Sequence, residues 1–278
     1  RIVDVGADLS HPENTVIQDR SGMHVFPSFM ELDSDYGMGA YDAEGPKGGR
    51  ASRGPHPDRS RDVPMYWNEA FHPEVDAVEH FSPDTADAAK MRAKGVGVAL
   101  THRHDGIARG SAVLVTMSEG TANEPVLKSR AAMQFSFDKG SSRQDYPSSL
   151  MGAVALLRQG FYDVEWYART NREETNFSLE AALAKKDLPK IFETENAYDI
   201  ERIQRIAREF DLDFIVCGAG DAYRVLPVLT HRPRAIIAPL DFPKPYEVGD
   251  PEMSRFISQS DLLHWERAPY NPSFVVQS

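Results

Sequence analysis

Cysteine is almost missing from this chain: Cys217, inside the apolar run "DFIVCG", is the only one. A lone thiol builds no internal disulfide framework, and in such a run it packs as a small hydrophobe. Basic charge is also short. The 31 Lys and Arg face 42 Asp and Glu, a formal net charge of −11 with a pI near 5.3. An acidic surface repels phosphate backbones, which argues against nucleic acid and anionic membrane as partners. No apolar run reaches the roughly 18 residues that a membrane span requires. No internal repeat is visible. A dinucleotide site is disfavoured too. "CGAGDAYRV" offers Gly218 and Gly220 but no third glycine, and its Asp221 would repel a pyrophosphate. Ser111, Ser148 and Ser149 lack the G-X-S-X-G setting of a nucleophilic serine.

What is present is an ordinary globular composition over 278 residues, long enough to bury one large core or two small ones. The chain opens on Arg1 with no signal segment, and "RIVDV" already reads as a strand. This leads us to expect a true N-terminus further upstream. "TVIQDRSGMHVFPSFMELD" adds one or two short strands around a "DRSG" turn. Residues 42–64 are Gly, Pro and charge without periodicity, the mark of a long loop or insertion.

From Phe81 on, helical and strand patterns alternate. "SPDTADAAKMRAKG" predicts a helix with Ser82 as N-cap, Pro83 in its first turn and Gly95 past its end. "VGVALTH", "SAVLVTM" and "AAMQFSF" predict strands. Apolar residues at 150, 151, 154, 157 and 161 predict a helix over "SLMGAVALLRQGFYDVEWYAR". "LPKIFETE", "DLDFIVCG" and "RAIIAPL" read as buried strands. Between the first two, Ile200, Ile203, Ile206 and Phe210 mark one face of an amphipathic helix. "DAYRVLPVL" reads as a short helix, and "ISQSDLLHWERAP" as a closing one. This order predicts βα units and a mainly parallel sheet, either a barrel or an open doubly wound sheet.

Chemistry is concentrated at a few strand ends. "VALTHRHDG" ends a strand in His102 and His104, two residues apart, so both rings face one side and can reach one ion. The alternative is a polar exit from the strand. Asp33 and Asp35 in "MELDSDYG" are candidate ligands for a hard metal, or solvated or arginine-paired carboxylates. Glu193 and Glu195 in "IFETEN" are candidate acid/base groups, with Glu193 also a candidate ligand; otherwise they cap the next helix or pair with arginines. Arg109 in "DGIARGS" can receive a substrate carboxylate or brace its own loop. His72 and His80 have no metal spacing.

Several phrases together resemble the amidohydrolase superfamily. They are "RSGMHVFPSFMELDSDYG", "DGIARGSAVLV", "YPSSLMGAVALLRQGFYDVEWY" and "APLDFPKPYEVGDP", and they span nearly the whole chain. They look like a large secreted bacterial subgroup related to imidazolonepropionase. The resemblance implies a TIM-like (β/α)8 barrel over residues 27–278, incomplete at its last βα units, with part of a small β-sandwich over 1–26. It implies metal-dependent hydrolysis of C–N bonds in amides or cyclic amides, and a periplasmic or secreted location. The family's metal positions, however, are replaced. Asp33 and Asp35 stand for the first-strand histidine pair, and Glu193, Thr194 and Glu195 occupy the fifth-strand position. Cys217 and Gly218 occupy the sixth, and the last aspartate falls beyond Ser278. Three expectations follow. The first is a degenerate domain without cofactor that supports a second, intact amidohydrolase domain of a longer parent. The second is an active hydrolase holding zinc, manganese or magnesium on Asp33, Asp35, His102, His104 and Glu193. The third is a small-ligand binding module.

Overall fold

The computed structural model describes residues 4–7, 9–39, 64–120, 124–170, 174–226, 233–246, 249 and 251–277. Nearly all of the expected insertion at 42–64 lies outside them. Seven strands form one sheet in sequence order: β1 Phe29–Ser34, β2 Val96–Thr101, β3 Ala108–Thr116, β4 Val126–Phe135, β5 Lys190–Thr194, β6 Ile215–Gly218 and β7 Ala235–Ile237. Helices α1 Ala77–His80 and α2 Thr85–Ala93 precede β2; α3 Leu150–Arg169 and α4 Phe177–Ala184 lie between β4 and β5; α5 Ala197–Glu209 joins β5 to β6. After β7 come α6 Pro251–Ser254, α7 Gln259–Arg267 and α8 Asn271–Gln277. Among the described residues no helix is long and apolar enough to cross a membrane.

The sheet is mainly parallel, with one departure from the expected alternation. β3 runs antiparallel to both β2 and β4, and among the described residues no helix separates these three strands. Short connections fix this: six residues between β2 and β3 are too few for a parallel crossover, which needs a dozen or more. Every other neighbouring pair is parallel.

The sheet curls on itself. Leu32 of β1, Leu100, Ala112, Ala132, Ile191 and Cys217 pack together on its inner face with Ile237 of β7. On the outer face, Phe135, Phe192 and Phe214 meet Leu156, Leu157, Ile200, Ile203 and Ile206 of α3 and α5. Full burial of each such side chain contributes about 1.5–3 kcal/mol. A second outer cluster packs Tyr36, Met38 and Ala88 on Ala99, Val113 and Val115.

The helix ends follow local chemistry. Asn196 and Asp199 form a capping box at α5, and Ser149 caps α3 through Gly152 N. The cap of α2 is Asp84 rather than Ser82: its carboxylate accepts from Ala86 N and Asp87 N, placing the start two residues later than expected. The described residues of 1–26, the span expected to hold part of a β-sandwich, contain turns but no strand. The "DRSG" turn does form, with Met23 N on Arg20 O and Gly22 at φ 80°. Strand geometry needs a backbone partner, and the described residues supply none to this arm.

Candidate functional site

The parallel strands direct their carboxyl ends to one side of the sheet, where the loop after β2 and the start of β3 also lie. Two β-bulges shape this end. The register of β1 on β2 slips between Glu31 and Ser34, and that of β3 on β4 slips between Ala108 and Gly110. Strand parity would put Ala108 on the same face as Ala112, but Ala108 packs outward with Phe71 and Ala112 packs inward. The bulge thus sends Arg109 inward, with Gly110 at φ 83° against Val75 O, where a Cβ would stand 2.0 Å away. Likewise Ser34 pairs with Thr101, and the slip leaves Asp33 to reach the inner end of β2.

There Asp33, His102 and His104 converge: one ligand atom from each lies within 4.8 Å of the others. Nε2 of His102 is 3.1 Å from Asp33 Oδ1, and Nε2 of His104 is 3.7 Å from the same oxygen. β2 ends at Thr101, so both histidines sit in the exit loop, with ring centroids 4.0 Å apart. His102 is 1% exposed, and its Nδ1 is 3.1 Å from Arg103 O. His104 Nδ1 lies 3.5 Å from Glu193 Oε2. Arg109, buried, donates from Nη1 to the same Glu193 oxygen and from Nε to Gly106 O at 3.1 Å. Cys217 pairs in register with Glu193, and its thiol neighbours the Asp33 carboxylate.

The charges follow from these contacts. Burial pushes the Asp33 carboxyl up, but the His102 bond and the two histidine charges outweigh it and hold its pKa below the ordinary value. The bond from His104 and the Arg109 charge hold Glu193 down at about 2, against burial. Burial, then the neighbouring His104 and Arg109 charges, push His102 down, so its ring is favoured neutral. Burial and the Asp33 charge push the Cys217 thiol up, so it remains protonated.

Of the residues singled out from the sequence, Asp33, His102, His104, Glu193 and Arg109 form one cluster. Asp35 is exposed two residues on, and Glu195 is exposed at the start of α5, where Asn196 and Asp199 do the capping. Sequence reading set Cys217 at the sixth-strand metal position but missed its nearness to Asp33; its equal register with Glu193 at the end of the next strand is the signal that places it. It also missed Gln134, which shares the inner face of β4 with Ala132 and buries an Nε2 without a hydrogen-bond partner.

No protein-family model matches the chain, and no curated protein matches it. Among solved structures, an amidohydrolase from Thermotoga maritima MSB8 superposes with a TM-score of 0.57. The match covers 91% of this chain and 68% of that chain at 20% identity. At this identity the likeness is one of fold, and it agrees with the barrel-like sheet described above.

Proposed function

We propose that this chain is a metal-dependent hydrolase of amide-type C–N bonds whose ion is held by Asp33, His102 and His104. The observation that carries the reading is the convergence of two imidazoles and one carboxylate at the carboxyl end of a barrel-like sheet. That donor set suits zinc in a catalytic site, which takes nitrogen ligands and a carboxylate and leaves a position open. The ring geometry fits as well. With an ion bound, His102 keeps its proton on Nδ1, donates to Arg103 O and turns the Nε2 lone pair toward the ion beside Asp33. His104 does the same, with Glu193 as the outer acceptor. Without an ion, Nε2–H of His102 donates to Asp33 Oδ1 at 3.1 Å; an ion takes the place of that proton, and outer oxygens that fix the tautomer are typical of metal-bound histidines.

When bound, such an ion supplies Lewis acidity to the scissile carbonyl and to a water. The chain's own groups supply position. Glu193 is ionised at neutral pH, takes up no proton there and orients His104. Arg109 neutralises Glu193 and borders the site with fixed positive charge. Asp33, with a third of its side chain open to solvent, faces the mouth.

A second reading is an inert barrel that braces another catalytic domain. It draws support from the Arg109–Glu193 pair, which leaves that carboxylate already satisfied. The two separate on a panel of N-acyl amino acids and cyclic imides, followed by release of the free amine from the zinc-loaded chain. Turnover that disappears in both Asp33→Asn and His102→Gln supports the hydrolase. A panel with no turnover by the zinc-loaded chain favours the brace.

A further inference from the structure

A cavity of about 700 Å³ lies beside the cluster at the same end of the sheet. Its walls are the segment before α1, the loop after β2 and the loop after β4. Arg109 belongs to both places: it lines the cavity and reaches Glu193 with Nη1. Hydrogen bonds tie the walls together. Gln144 donates to Trp67 O at 3.0 Å and accepts from Glu69 N at 2.9 Å. Asn68 donates to Tyr146 O at 2.8 Å. Asp105 accepts from Ser141 N at 2.6 Å and from Ser141 Oγ at 2.8 Å. A cavity braced in this way costs a ligand little ordering.

Both signs of charge line the cavity: Arg103, Arg109 and Arg143 with Glu69, Glu74 and Asp105. Arg103 lies 3.8 Å from Asp105 and Arg109 pairs with Glu193, which leaves Arg143 as the lining arginine without an ion pair among the described residues. Two of the three buried side-chain polar atoms without a partner among the described residues belong to its walls: Glu74 Oε2 and Ser142 Oγ. Glu74 Oε1 is engaged, 3.3 Å from His72 Nδ1. Trp67 stands 45% exposed at the same cavity and stacks on Tyr146, with ring centroids 6.1 Å apart. A ligand of one charge sign answers one set of these groups and leaves the other without an added partner. An apolar ligand desolvates both sets with no return.

We propose that this cavity binds a small zwitterion, the free amino and carboxyl ends of a short peptide. The ammonium goes to Glu74 and the carboxylate to Arg143, with Trp67 against the apolar middle. The site stands apart from the hydrolase reading, because none of its groups is a ligand of the ion.

The test is calorimetric titration of the full chain in chelator, so that the outcome does not depend on any metal. The probes are L-alanyl-L-alanine, its N-acetyl form and its C-terminal amide. The free dipeptide is expected to bind, and each blocked form to bind about tenfold more weakly, the cost of one lost charge-assisted bond. Glu74→Gln is expected to abolish the preference for the free amine alone, and Arg143→Gln the preference for the free carboxylate alone. No saturable binding at about 10 mM, a range that takes in weak millimolar affinity, overturns the proposal. So do blocked peptides that bind as well as the free one, or acetate that binds as tightly, which marks a simple anion site. If Glu74→Gln fails to fold, the exposed Arg143 variant and the end-blocked probes on the unaltered chain still decide.

Discussion

Two clusters of buried charge, built from similar groups, behave as opposites. Around Asp76, every valence is closed. Its Oδ1 accepts from Ser111 Oγ at 2.5 Å and pairs with Lys185 Nζ at 2.6 Å, and its Oδ2 accepts from Arg130 at 2.6 and 2.9 Å. Lys185 is 2% exposed and also donates to Pro73 O at 2.7 Å. Around Asp33, the contacts to the two histidines are 3.1 and 3.7 Å, and the carboxylate is open to solvent on one side. Tight, complete pairing in low dielectric fastens a fold but leaves no room for a ligand. Looser contacts between groups that share lone pairs leave a place for a cation. The first cluster ties the segment before α1 to β3, β4 and the end of α4, and the second has the makings of a site.

The largest effect separating the two belongs to Asp76. Asp76→Asn leaves the Lys185 ammonium buried without its counter-charge, and the expected loss is about 3–5 kcal/mol in urea unfolding. A loss under about 1 kcal/mol, the range of exposed pairs, would erase the contrast. Next comes zinc. At a hundredfold excess over Kd a bound ion adds about 2.7 kcal/mol to stability. That gain is expected to vanish in His102→Ala. It is expected to persist in an Asp76 variant that still folds; its loss there would mean that the clusters are not independent.

A smaller effect is the pH response of Glu193. Its pKa falls from 4.5 to about 2 on folding, so the ionised form is the one the fold favours. The stabilisation is complete above about 4.5 and is lost as pH falls toward 2. The melting gap between the native chain and Glu193→Gln should therefore narrow over that window; a constant gap would remove Glu193 from the electrostatics of the site. The smallest effect belongs to Arg158, which pairs with Glu209 at 2.7 Å with 47% of its side chain exposed. Arg158→Ala is expected to cost about 0.2–1 kcal/mol, a baseline for a pair left in water.

Much of the fold is written locally. The 3.6-residue spacing of Ile200, Ile203 and Ile206 gave α5 its buried face, and the apolar runs ending at Thr101, Thr194 and Gly218 gave β2, β5 and β6. The pairing of His102 with His104 was legible because a strand and its exit keep alternate residues together. The rest depended on register. The bulges that turn Asp33 and Arg109 inward come from how β1 sits on β2 and β3 on β4, which periodicity does not encode. For the same reason Asp35, the alternate partner of Asp33 by strand parity, stays outside. The antiparallel β3 escaped notice because strand propensity carries no direction. The pairing of Asp76 with Lys185 joins residues more than 100 positions apart, beyond any local pattern.

The central claim, that the Asp33 cluster holds an ion, is tested most directly by metal content. The chain, saturated with zinc and desalted, is weighed under native conditions beside His102→Ala and Asp33→Ala, with Asp35→Ala as control. The account predicts about one ion per chain, kept by the Asp35 variant and lost by the other two, as expected for a site of three ligands. No retained zinc in the native chain, or retention that ignores both His102 and Asp33, would contradict it.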